Sequence, residues 1–159
     1  MASRVVQYVV VLGPGHPVWT RLYVALASLA KACGGGFAFV IDEGNGLWCV
    51  GIRDVEPTAS TPNEDLAADR FFRAEVEPRM PTMRQGVRFE AYSVEGEDRY
   101  AAQSFAGIYA VVVWFDVSFD PALVRARIRR ALPEIEALTL ALPPSDGPGA
   151  DEGAVKMRA

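Results

Sequence analysis

Two short apolar runs, residues 37–41 and 47–52, enclose Asp42-Glu43-Gly44-Asn45-Gly46, and this unit constrains the chain more than any other. Asn-Gly supplies the positive φ angles of a tight hairpin turn, so the two runs are expected to pair antiparallel. A helix should come before them. Val18, Leu22, Leu26, Leu29 and Cys33 recur at spacings of four, four, three and four, the repeat of one helical face, and Pro17 suits a first helical position. Gly34-Gly35-Gly36 stops that helix, because glycine accepts the left-handed cap that other residues resist.

Upstream, residues 5–12 form a nearly unbroken β-branched run closed by Gly13-Pro14-Gly15, which predicts a leading strand. Strand, glycine turn and helix resemble the opening of a dinucleotide-binding fingerprint, but the details exclude it. Val18 stands in place of the third glycine, Pro14 and Pro17 remove backbone donors, and a hairpin follows where a parallel strand is required.

Downstream of a polar loop with Pro57 and Pro62, Asn63 and the acids after it predict the start of a second helix, which Pro78 is expected to end. Ala67, Phe71 and Ala74 make one row of that helix, and Ala68, Phe72 and Val76 the next. The apolar arc exceeds the roughly 100° that covering one sheet requires, which points to a second neighbour such as a partner subunit. Residues 87–94, 100–105 and 108–115 then read as a three-strand meander. Asp120 followed by Pro121 predicts a capped closing helix with Val124, Ile128, Ala131, Ile135 and Leu138 on one face. Pro133 lies inside it and predicts a kink or break near Leu132, since an interior proline costs about 3 kcal/mol.

At 159 residues, half of them hydrophobic and 23% charged, the chain has the composition of a globular protein with a full core. The expected organisation is a single domain over 1–142, including the extra strand at 5–12, and a flexible tail over 143–159, whose Pro143-Pro144-Ser145-Asp146-Gly147-Pro148-Gly149 cannot bury enough surface to order itself. The longest apolar stretch, 108–115, is far short of the roughly 20 residues that cross a bilayer, so no membrane insertion and a cytoplasmic location are expected. A net charge of −4 without a Lys/Arg run disfavours nucleic acid as a partner.

His16 is the only histidine, and Cys33 and Cys49 are the only cysteines; without a CxxC spacing they predict no metal site and read as small buried hydrophobes. No phosphate-cradling glycine loop and no nucleophile paired with a base are visible, so neither cofactor nor catalytic residue is expected. Charge is the remaining signal. Residues 54–77 carry seven acids against Arg70 and Arg73, while Arg125, Arg127, Arg129 and Arg130 crowd the closing helix. Asp69 with Arg73 and Arg125 with Arg129 stand at i,i+4 spacing, and these four together with Arg70 are the candidate partner-binding residues.

The order helix, hairpin, helix, meander and closing helix over residues 17–142 resembles the roadblock/dynein light-chain family. Ile108-Tyr-Ala-Val-Val-Val-Trp-Phe-Asp116 and Asp120-Pro-Ala-Leu-Val-Arg-Ala-Arg-Ile-Arg-Arg-Ala131 are similar to the last strand and final helix of its bacterial MglB-type members. Phe37-Ala-Phe-Val-Ile-Asp-Glu-Gly-Asn-Gly-Leu-Trp48 matches the first hairpin of that family. The resemblance implies an α/β fold with a central antiparallel sheet of about five or six strands and helices on both faces. It also implies a non-enzymatic homodimer, built by pairing sheet edges and second helices, that serves a small Ras-like GTPase or its regulator in bacterial cell polarity or motility. Ala67, Phe71 and Ala74 are the candidate dimer contacts. The strand at 5–12 is extra to the family plan, and a small-ligand sensor or adaptor domain of a related α/β fold is the alternative.

Overall fold

The computed structural model describes residues 17–52 and 63–141. The leading strand at 5–12, His16, the loop acids Asp54 and Glu56, and the tail over 143–159 lie outside the described residues.

Helix α1 spans Pro17–Cys33, and the hairpin strands are β1 (Phe37–Asp42) and β2 (Leu47–Ile52). Gly34 adopts φ +79°, and Gly35 N donates to the Ala30 carbonyl at 2.9 Å, so the glycine run ends α1 in a left-handed cap. In the hairpin turn Asn45 carries a positive φ of 63°, and the Asp42 carboxylate accepts hydrogen bonds from Gly44 N and Gly46 N at 2.8 Å each. Gly46 keeps an ordinary φ, so the turn departs from a pair of left-handed residues; the aspartate closes it instead.

The second helical region does not end at Pro78. Helix α2 (Asn63–Phe71) continues as a π turn (Phe72–Val76) and a 3-10 turn (Glu77–Arg79) into a short α3 (Met80–Arg84). Proline lacks an N–H and its ring crowds the preceding turn, and a widened turn accommodates both. Phe72, Val76 and Met83 are buried along this path, and their burial offsets the lost hydrogen bond.

The meander comprises β3 (Glu90–Ser93), β4 (Arg99–Phe105) and β5 (Tyr109–Phe115). The first of these starts later than its sequence pattern, because Val87 N turns back to the Thr82 carbonyl at 3.0 Å and the Val87 side chain is exposed. Helix α4 (Pro121–Leu140) is capped as expected, with Asp120 accepting from Ala122 N at 3.0 Å. It runs through Pro133 without a break. Val124, Ile128, Leu132, Ile135 and Leu138 are buried along it, and this packing on both sides of the proline holds the helix together.

The five strands form one antiparallel sheet in the order β2-β1-β5-β4-β3. Central β5 is buried on both faces, which explains its unbroken Val111-Val112-Val113 run. Helices cover both faces. Helices α1 and α4 pack Leu22, Leu26, Ile128 and Ile135 onto Val40, Val111 and Val113, while α2 and its continuation pack Ala68, Phe71 and Val76 onto Phe39, Ala110 and Val112. Gly51 of β2 is where α1 comes closest, and a Cβ there would collide with the Ala27 backbone and lie 2.6 Å from the Tyr23 carbonyl oxygen. Cys33 is buried, and burial pushes its thiol up to about 11 against a smaller opposing effect of Arg127, which leaves it the inert hydrophobe its surroundings predict. Among the described residues no helix is long and apolar enough to cross a membrane.

Candidate protein-protein interface

The charged residues of α2 and of the π turn that continues it form two links to neighbouring turns. Asp69 accepts from Asn45 Nδ2 of the hairpin turn and from Arg73 Nε, both at 3.1 Å. The hydrogen bond and charge of Asp69 raise the Arg73 guanidinium above its ordinary value. Arg70 reaches Asp98, just before β4, at 3.0 Å. These groups are largely exposed, so their pairing orients side chains more than it stabilises the fold.

Arg125 and Arg129 occupy the other side of the sheet and converge on one carboxylate. Glu90 of edge strand β3 accepts from Arg125 Nε at 2.8 Å and from Arg129 at 3.0 Å. The Tyr92 hydroxyl donates to the same Glu90 at 3.0 Å. Burial works to raise the Glu90 pKa, but these three donors outweigh it and hold the carboxyl below its ordinary range. Tyr92 is shifted upward, by burial first and by Glu90 besides. The two sets of nominated partner-binding residues therefore lie on opposite faces, and each is bound to its own chain.

Ala67 and Phe71 sit in the core of the same chain, while Ala74 is exposed. The Phe71 ring meets Tyr100 edge-on at 5.2 Å and Phe39 at 6.3 Å. The wide apolar arc of α2 is thus largely used within the chain, because the π turn carries Phe72 and Val76 onto the sheet as well.

The apolar surface that α2 does present is Leu66, 51% exposed. It borders a shallow depression of about 150 Å³ lined by Phe37, Trp114, Arg70 and Asp98. Phe37 stacks on Trp114 at 6.4 Å, and Trp114 on Tyr100 at 5.4 Å, so these half-buried rings continue a row that runs into the core. The Tyr100 hydroxyl donates to Glu75, which Arg79 also binds at 2.6 Å, while the Arg79 guanidinium lies 4.7 Å from the centre of the Phe89 ring. Burial and the neighbouring Glu75 push the Tyr100 phenol far above its usual range. Leucine, tryptophan, phenylalanine and arginine around a shallow depression, backed by a rigid aromatic row, suit protein recognition. Sequence reasoning missed this surface. Leu66 was legible as the one large apolar residue outside the α2 arc, but nothing local placed Phe37 and Trp114 beside it.

The edge of the sheet is the other feature suited to association. Among the described residues strand β3 pairs only with β4 and so ends the sheet.

No protein-family model matches the sequence, and no curated protein matches it either. Solved structures do match. The gliding protein MglB of Thermus thermophilus superposes with a TM-score of 0.62 at 15% identity, covering 79% of this chain and 93% of that one. A structure described as MglB with tetrameric arrangement gives 0.61 at 16% identity, over 79% and 93% of the two chains. Myxococcus xanthus MglB gives 0.54 at 18% identity, over 78% and 98%. At such identities the likeness speaks for architecture, and the chain has the MglB-like roadblock fold, an antiparallel sheet with helices on both faces.

Proposed function

We propose that this chain is a non-catalytic, homodimeric regulator or scaffold of a small Ras-like GTPase of the bacterial polarity or motility type. The observation that carries the reading is that the described fold matches nearly the whole length of the MglB chains, 93% to 98% of each. The roadblock resemblance supplies the partner class. The surface of Leu66, Phe37, Trp114 and Arg70 supplies a recognition patch. Such a regulator shifts its partner only by its differential affinity for the two nucleotide states.

The test uses small GTPases cloned from the source genome, loaded with GDP or a non-hydrolysable GTP analogue, and titrated against the full chain. State-dependent binding that Leu66→Asp abolishes, with the variant still folded, is the expected result. Failure of every GTPase to bind in either state would remove the functional reading, and sedimentation as a monomer at tens of micromolar would remove the dimer.

A second reading, a small-ligand sensor, draws on a cavity of about 320 Å³ between the β3–β4 pair and α4, bordered by Arg88, Gln103, Ser104 and Arg129. A ligand held there would disturb the Glu90 pairing, and chemical shifts of Gln103 and Arg129 on titration with small anions would favour this reading over the first.

A further inference from the structure

On the side of the molecule remote from Leu66, helices α1 and α4 pack against each other and leave an open groove of about 750 Å³ on their solvent side. Its α1 wall is a stripe of small or apolar residues, Val24, Ala25, Ser28 and Ala32, and Ala131 faces it from α4. Val24 is 54% exposed, although the core would accept a valine readily. Three guanidinium groups, Arg21, Arg127 and Arg130, rim the groove against a single acid, Glu134. Arg127 donates to the Ala32 carbonyl and so bridges the two helices at one end. Among the described residues Arg21 and Arg130 have no ion-pair partner, a state they share with Arg88, Arg99 and Arg127, whereas Arg70, Arg73, Arg79, Arg84, Arg125 and Arg129 are paired.

We propose that this groove is a docking site for an amphipathic helix with acidic flanks, carried by a partner protein. A cleft between two packed helices accepts the ridge of a third, and small side chains on its wall let the incoming backbone come close. Two unpaired arginines on opposite walls match carboxylates on either side of an apolar ridge, and the forked guanidinium binds a carboxylate through two hydrogen bonds. From Arg21 to Ala32 the lined stripe spans roughly 16 Å at 1.5 Å per residue, so the partner helix needs about three turns. The site is independent of the GTPase reading, because it lies on the other helical layer.

The test uses the full chain, isotope-labelled, and two synthetic helices of about 18 residues with the same leucine stripe, one flanked by glutamates and the other by lysines. The glutamate helix is expected to bind at least about tenfold more tightly, with shifts confined to residues around Val24, Ser28, Arg130 and Ala131. Arg21→Glu with Arg130→Glu should reverse the preference, and Val24→Asp should abolish binding; all three positions are exposed, and an unchanged far-ultraviolet spectrum verifies the fold. Equal affinity for the two helices, shifts centred on Leu66, or no binding of either at about 1 mM would overturn the proposal. A wild-type sedimentation coefficient that Val24→Asp lowers would overturn it too, since a second copy of the chain would then be the occupant.

Discussion

Replacing Phe71 with alanine separates a core position from an interface position. The ring is fully buried in the single chain, wedged between α2 and the sheet, with Tyr100 edge-on at 5.2 Å and Phe39 at 6.3 Å. Removing a buried phenyl ring costs about 3–5 kcal/mol in lost transfer energy and residual cavity. The two edge-to-face contacts place Phe71 toward the upper end, since each contributes about 0.5–1.5 kcal/mol beyond burial alone. With a urea dependence near 2 kcal/mol per molar, the unfolding midpoint should fall by ~2 M, a large part of the 5–15 kcal/mol that holds a domain together. The assay is urea unfolding followed by tryptophan fluorescence at two protein concentrations, with Leu66→Ala alongside. Leu66 is 51% exposed, so its truncation should change the stability of the isolated chain by about 1 kcal/mol or less, about 0.5 M in the midpoint. A Phe71→Ala midpoint displaced by less than about 0.5 M, together with dissociation of a dimer, would refute the reasoning, because the ring would then be packing on another subunit.

Gly51→Ala should destabilise the fold by at least about 1–3 kcal/mol in the same assay, because its Cβ meets the helix backbone at Tyr23 and Ala27 rather than a side chain that could swing away; an unchanged midpoint would mean that β2 and α1 lie further apart. Glu90 predicts an acid-sensitive clamp. Its folded pKa is depressed, so its stabilisation is present above the unfolded value of about 4.5 and is lost as pH falls through the folded value. Glu90→Gln should therefore be less stable than the native chain at pH 7, by about 1 kcal/mol or less because the arginines are half exposed, and the gap should close on acidification. A gap independent of pH between 7 and about 3 would show that the carboxylate charge plays no part.

The element order was legible in the sequence because the rules that govern it act over a few residues. Periodic leucines, the Gly34 cap, the Asp42 to Gly46 turn and the Asp120 cap each depend on groups within one or two turns of chain, and each stands in the structure where its pattern lies. The tertiary structure alone decided how the helices treat their prolines. Local propensity stops a helix at Pro78 and weakens one at Pro133, whereas burial of Met83 on one path and of Ile135 and Leu138 on the other carries both helices past those points. The interface was hidden for the same reason. Arg70 meets Asp98 across 28 residues, and Arg125 and Arg129 meet Glu90 across 35 and 39, distances over which periodicity carries no information. Insertion of β5 between β1 and β4 sets those meetings, brings Trp114 beside Phe37, and turns Phe71 into the core while leaving Leu66 to solvent.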